Sequence, residues 1–215
     1  MCAVETQTGF SRVKGLDGWR ASVLWALLAI AALVLAFVFD GDVQRWATLH
    51  QAPALRAAMR NVSRWGDWPA HVVAGLVAAA IAWLRGSRTW LAIFIAMVLA
   101  CAAAGLVNRV IKVAAGRARP AVAVDAGWNG PRLSSKYNAF PSGHTAASTA
   151  FFTVLLLARR RIGLPLLAIP LLIAFSRLYI GAHYLSDVVA GAVVGASTAA
   201  LIWCAVRSRL AQRES

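Results

Sequence analysis

The chain has 215 residues, of which 60% are hydrophobic and 14% charged. A soluble domain carries roughly 25% charged and about 45–50% apolar residues, so this composition excludes both an ordinary water-soluble globule and a disordered chain. The charge is lopsided, 22 Lys and Arg against 8 Asp and Glu for a formal +14; in so apolar a chain that excess points to a membrane, with no nucleic acid as partner.

A basic start (Arg12, Lys14, Arg20) precedes an apolar run at 21–39. The run is longer than the roughly 7–15 residues of a signal-peptide core, and no small-x-small site follows it. It reads as a retained first span, with 1–20 as a cytoplasmic N-terminal segment. Further apolar stretches at 70–84, 90–111, 142–158, 162–180 and 187–206 predict an all-α, polytopic bundle of six transmembrane helices. A span needs about 17–25 residues, and no alternating pattern suggests a barrel. The second stretch is short, with Trp68 and Pro69 placed to sit in the headgroup zone. The fifth contains Pro165 and Pro170, which membrane helices tolerate. Gly191-x-x-x-Gly195 either permits close helix approach or is chance in an Ala/Gly-rich run. The chain reads as one unit, 1–215, without repeat or linker.

Between the first two stretches, 40–69 carries Arg45, Arg56, Arg60 and Arg64 among apolar residues. It reads as an amphipathic helix lying on the membrane or as a lid. Cys2, Cys101 and Cys204 match no redox or metal spacing and read as reduced packing residues. Trp19, Trp68, Trp83, Trp90 and Trp203 fall near span ends, as interfacial aromatics do, and Trp25 reads as a packing residue.

With both termini cytoplasmic, inside and outside segments hold eleven Lys/Arg each. The inside segments are much shorter, and Arg85, Arg88 and Arg159–Arg161 sit in tight loops, which favours this orientation under the positive-inside rule.

Three polar clusters stand where apolar runs end. Lys112 and Arg119, with Arg117 between, are seven residues apart; they would share a helix face, but Gly116 and Pro120 argue against a continuous helix. A solvated basic loop is the plain alternative. Pro141-Ser142-Gly143-His144-Thr145 opens the fourth span with a helix-start signature, whose free N–H groups favour an anion such as phosphate. His144 reads either as structural or as a group at the mouth of that site. In Ser176-Arg177-x5-His183-x3-Asp187, His183 and Asp187 are i and i+4, so on a helix the carboxylate meets the imidazole and leaves its other nitrogen free to attack. Arg177, after a wholly apolar stretch, is a functional candidate or an interfacial snorkel.

Six spans with inside termini bring all three clusters to the outer interface. Cations, a helix N-terminus, two histidines and a carboxylate there suit phosphoryl transfer: cations neutralise phosphate oxygens, one histidine attacks and another protonates the leaving oxygen. The cations would repel a metal dication, so no metal is expected. Arg109, Arg117, Arg132 and Lys136 lie near enough to attract an anionic headgroup.

Together, Lys112-x6-Arg119-Pro120, Pro141-Ser142-Gly143-His144 and Ser176-Arg177-x5-His183-x3-Asp187 resemble the three signature motifs of the type-2 phosphatidic acid phosphatase superfamily, which includes membrane lipid phosphatases and soluble vanadium haloperoxidases. The motifs are intact and ordered across 112–187. The resemblance implies His183 as a nucleophile forming phosphohistidine, Asp187 as its orienting carboxylate and His144 as proton donor to the leaving group. It also implies Lys112, Arg119, Ser142, the Gly143 amide and Arg177 as phosphate ligands, with no metal or other cofactor. The expected protein is a bacterial inner-membrane phosphatase facing the periplasm, acting on undecaprenyl diphosphate, phosphatidylglycerol phosphate, phosphatidic acid or a lipid A phosphate. A lipid-dependent phosphotransferase and a non-catalytic lipid-phosphate-binding protein are the rivals.

Overall fold

The computed structural model describes residues 8–122 and 127–212. Cys2, the first seven residues of the N-terminal segment, 123–126 of the long loop and Arg213 of the tail lie outside them. Among the described residues the chain is helical, with one isolated bridge, Arg117 to Trp128. The α-helices are α1 (Thr8–Val38), α2 (Asp40–Leu49), α3 (Pro53–Trp65), α4 (Trp68–Leu84), α5 (Arg88–Ala115), α6 (Gly143–Ala158), α7 (Arg160–Leu166), α8 (Ala168–Tyr179) and α9 (Leu185–Ala211).

α6 is the hub, packed on α5, α9 and α8. Its partners show small side chains at helical spacing. Ile93, Ala96, Ala100 and Ala104 of α5 meet Ala147, Ala150 and Val154 of α6 in a buried core. The opposite face of α5, with Leu99, Leu106 and Val110, is exposed. α1 likewise exposes Leu24, Leu27, Leu28 and Ile30. Such continuous apolar surface is stable only in a lipid surround.

Gly191-x-x-x-Gly195 is a true close crossing. A Cβ on Gly191 would lie 2.5 Å from the Ser142 carbonyl oxygen, and one on Gly195 2.4 Å from that of Ala146. α9 thus rests directly on the α6 backbone, which seats the α6 N-terminus against the start of α9. Trp25 ties α1 to the same helix, its indole N–H donating to Ser197 at 3.1 Å.

The expected count of six spans is met only in part. Gly18–Val38, Arg88–Ala115, Arg160–Tyr179 and Leu185–Leu210 are each long and apolar enough to cross a membrane, and α3 with α4 make a fifth if that pair, bent by 53°, is one span. α6 is too short by the same measure at 16 residues. Its length is limited by the polar start at Ser142 and by Arg159, whose guanidinium stacks 5.5 Å from the Trp90 ring. Packing on Cys residues is also only partly as expected: Cys101 is buried, but Cys204 is exposed on α9.

The 40–69 segment is built into the fold. Tyr179 at the end of α8 donates its hydroxyl to the His50 carbonyl at 2.6 Å and accepts from the Ala52 amide at 3.1 Å. Gly66 sits against Ile173, with no room for a side chain. α3 therefore lies along α8 and walls one side of the polar end of the bundle.

Candidate active site

The loop after α5 is shaped by Gly116. Its φ of 54° is left-handed, and a Cβ there would fall 1.6 Å from the Gly130 carbonyl oxygen. The helix must end here, so Lys112 and Arg119 cannot share a helical face, as Gly116 and Pro120 foretold. Arg117–Arg119 run extended instead. The Ala118 amide donates to Gly127 O at 2.9 Å, that of Arg119 to Lys136 O at 3.0 Å, and Ala139 donates to Arg117 O at 3.0 Å. Arg119 is aimed by its Nε–H, which donates to Ser135 O at 3.0 Å.

The α6 N-terminus follows a cis Phe140–Pro141 peptide. The Ser142 amide donates to Asp187 O at 2.8 Å, fastening this end to α9. Ser142 is fully buried and its hydroxyl accepts from Thr145 at 3.0 Å. Gly143 faces the Asn108 amide nitrogen and Lys112 Nζ, 3.4 and 3.7 Å from where a Cβ would stand.

Gly181, with φ at 71°, turns the chain sharply after α8. His183 lies in this turn, before α9 begins, so it and Asp187 do not share a helix as their spacing suggested. The contact arises differently. Asp187 is the third residue of α9 and accepts from the Tyr184 amide at 2.8 Å, closing the helix start. That cap brings Asp187 Oδ2 to 3.5 Å from His183 Nδ1, which makes no hydrogen bond. The separation exceeds hydrogen-bond length but keeps the carboxylate's field on the ring.

A cavity of about 300 Å³ gathers the predicted groups: Lys112, Arg119, Gly143, His144, Arg177 and His183 line it, with Arg109 and Asn108. Ser142 and Asp187 lie one layer behind. Burial, and then the charges of Arg177, Lys112 and Arg119, hold the His183 imidazole well below its ordinary pKa. The ring is therefore neutral at physiological pH, the form able to attack phosphorus.

Four residues outside the sequence-predicted set complete the site. Arg177 donates to Ser63 Oγ, a residue of α3. His144 Nε2 is 3.7 Å from Oδ1 of Asp67, the residue that caps α4. Asp40 and Ser186 join a buried network through Arg117, which donates to Asp187 Oδ1 and Ser186 Oγ at 2.6 Å each and to Asp40 Oδ2 at 2.7 Å. Asp40 also accepts from the Ser186 amide at 2.8 Å and hydroxyl at 2.6 Å. The Arg117 guanidinium is framed by the Tyr184, Trp128 and Phe37 rings, 4.3, 5.0 and 5.5 Å away. Arg117 is thus not a free cation that draws in a headgroup; its charge is spent inside the protein. A signal for two of the four was present: the chain has only 8 acidic residues, and Asp40 and Asp67 stand at ends of apolar stretches.

Comparison with known proteins gives matches at the level of family and fold. Residues 93–211 match the family described as the PAP2 superfamily. A decaprenylphosphoryl-5-phosphoribose phosphatase of Mycolicibacterium smegmatis is 39% identical over 148 residues, 67% of this chain and 76% of that protein. A lipid A 1-phosphatase of Rhizobium johnstonii is 38% identical over 95 residues, 43% of this chain and 39% of that one. Among solved structures, the PAP2-type phosphatidylglycerolphosphate phosphatase of Bacillus subtilis superposes with a TM-score of 0.66 at 20% identity, covering 86% of this chain and 96% of its own.

Proposed function

The chain belongs to the PAP2 superfamily and is a phosphatase acting on phosphoester or anhydride bonds, and from that premise we propose that it hydrolyses a lipid-linked phosphate through a phosphohistidine on His183. One observation carries this: a neutral, carboxylate-backed His183 opens on a cavity shared with Lys112, Arg119, Arg177 and His144.

Lys112, Arg119 and Arg177 neutralise the phosphate oxygens as charge moves onto them. The Gly143 amide at the helix start adds a dipole. The free Nε2 of His183 attacks phosphorus in line. The P–O bond to the leaving group breaks, and His144 gives its proton to that oxygen. Asp187 orients the ring and offsets its charge as the N–P bond forms. Water then attacks phosphorus as His144 takes its proton, the Nε2–P bond breaks with its electron pair returning to the His183 ring, and inorganic phosphate leaves. Fixed cations carry the charge in every step, so the scheme calls for no metal.

The substrate class that best suits the chain is a phosphate monoester on a polyprenyl-phosphate-linked sugar. The relative with that activity is matched over three quarters of its length. In the arrangement proposed, α1, α3–α4, α5, α6, α7–α8 and α9 supply six crossings of a bacterial inner membrane, both termini are cytoplasmic and the cavity faces the periplasm. The tight loops at Arg85–Ser87 and Arg159 then lie inside.

A phosphate-release panel in detergent with chelator present tests the reading. The panel holds a polyprenylphosphoryl sugar phosphate, undecaprenyl diphosphate, phosphatidylglycerol phosphate, phosphatidic acid and a lipid A phosphate. The sugar phosphate should be turned over fastest, and His183→Ala should abolish turnover of all. Activity lost on chelation, or retained in His183→Ala, overturns the mechanism.

A further inference from the structure

Acid catalysis by His144 poses an electrostatic problem. Its ring lines a cavity with Arg109 and Lys112 of α5, Arg119 of the loop, Arg177 of α8 and His183 of the turn. Every one of these is cationic or able to become so, and like charges oppose a proton on His144. Among the described residues lining this cavity, Asp67 is the one carboxylate. A carboxylate in a phosphate site repels the substrate, so its presence there needs an opposing benefit.

We infer that Asp67 is the positioning residue for the general acid: its carboxylate stabilises the protonated His144 and so supplies the leaving-group proton. This rests on the phosphohistidine reading above and adds a residue from outside the signature motifs.

The geometry suits the role. Asp67 Oδ1 is 3.7 Å from His144 Nε2. That is beyond hydrogen-bond reach, so the carboxylate steadies the charge without claiming the proton. The Nε2–H bond is free to break toward the leaving oxygen as the P–O electron pair moves onto that oxygen. Asp67 is itself held. Its Oδ1 accepts from the Trp68 amide at 2.9 Å as the cap of α4. A second tether runs through its carbonyl, 3.0 Å from Nδ1 of the buried His71. Asp67 also caps α4, a role that needs no charge, so the test must separate cap from charge.

Asp67→Asn and Asp67→Ser do this, because Asn and Ser cap helices about as well as Asp. Each is assayed in detergent with chelator on two monoesters. p-Nitrophenyl phosphate loses its phenolate without help, whereas dioctanoyl phosphatidic acid must expel an alkoxide that needs a proton. Both variants should keep the wild-type melting temperature. They should lose about tenfold in kcat/KM on the alkyl ester, a partial loss of the 10²–10⁴ that a general acid contributes, and little or nothing on the nitrophenyl ester. The alkaline limb of the alkyl-ester profile should move to lower pH. Equal losses on both esters, or none on either, overturn the role of Asp67 while leaving the phosphohistidine scheme intact. Turnover that survives His183→Ala sinks both.

Discussion

Arg117 and Asp187 are joined by a 2.6 Å salt bridge with both side chains almost wholly buried. The same guanidinium reaches Asp40 at 2.7 Å. One cation thus links the carboxylate behind His183 to the junction of α1 and α2. Asp187 is held from two sides, by Arg117 on Oδ1 and by the Tyr184 amide on Oδ2. Its second oxygen is thereby kept on the His183 ring.

Breaking this link should cost both stability and rate. Removing one member of a buried pair typically costs about 3–5 kcal/mol, because the other charge is left unpaired. Asp40→Ala should lower the melting temperature in detergent and reduce kcat, although Asp40 does not line the cavity. A melting temperature and kcat both equal to wild type would show that the network is decorative.

The α6–α9 crossing sets the site by backbone contact. Gly191→Ala should push the Ser142 carbonyl, now 2.5 Å from the new Cβ position, and with it the α6 start that lines the cavity. Activity should fall at least tenfold, by the logic of sub-ångström misplacement of catalytic groups. Gly18→Ala, where the Cβ meets nothing within 4 Å, is the control and should be silent. Equal effects of the two substitutions would contradict the crossing's role.

Ser63 should matter through Arg177. Its hydroxyl accepts from Arg177, whose Nε is buried without a partner. Ser63→Ala should loosen that arginine and raise KM several-fold with a smaller change in kcat. An unchanged KM would place Arg177 outside substrate binding.

The depressed His183 has a pH signature. Its folded pKa lies well below the unfolded value, because burial and the Arg177, Lys112 and Arg119 charges oppose protonation. The folded state therefore binds fewer protons. The stability tied to the neutral ring is present above the ordinary histidine value of about 6.5 and is lost as pH falls below it. His183→Asn, which cannot protonate, should gain melting temperature relative to wild type as pH drops from about 7 to about 5. A pH-independent difference would mean that the ring is not depressed.

Much of the site was legible because its residues are chemically unusual in apolar sequence. Lys112, Arg119, His144, Arg177 and His183 do converge on one cavity. Hydropathy also located most helices, since lipid-facing residues are apolar in long runs. What escaped was set by tertiary contacts. Nothing local tells that Arg117 is consumed by Asp40, 77 residues away. The i, i+4 spacing of His183 and Asp187 gave the right contact by the wrong route, because Gly181 ends one helix and Tyr184 starts the next. The 40–69 segment looked like a surface helix because its arginines dominate, while its contributions, Asp40, Ser63 and Asp67, are single polar residues.

The most direct test is to trap the intermediate. Protein in detergent with chelator is mixed with ³²P-labelled polyprenylphosphoryl sugar phosphate or phosphatidic acid, quenched in alkali within milliseconds and mapped by peptide. The account predicts an alkali-stable, acid-labile phosphoryl group on the peptide carrying His183, formed in wild type and absent in His183→Ala. A label on another residue, or wild-type turnover with no labelled protein at any time, would contradict it.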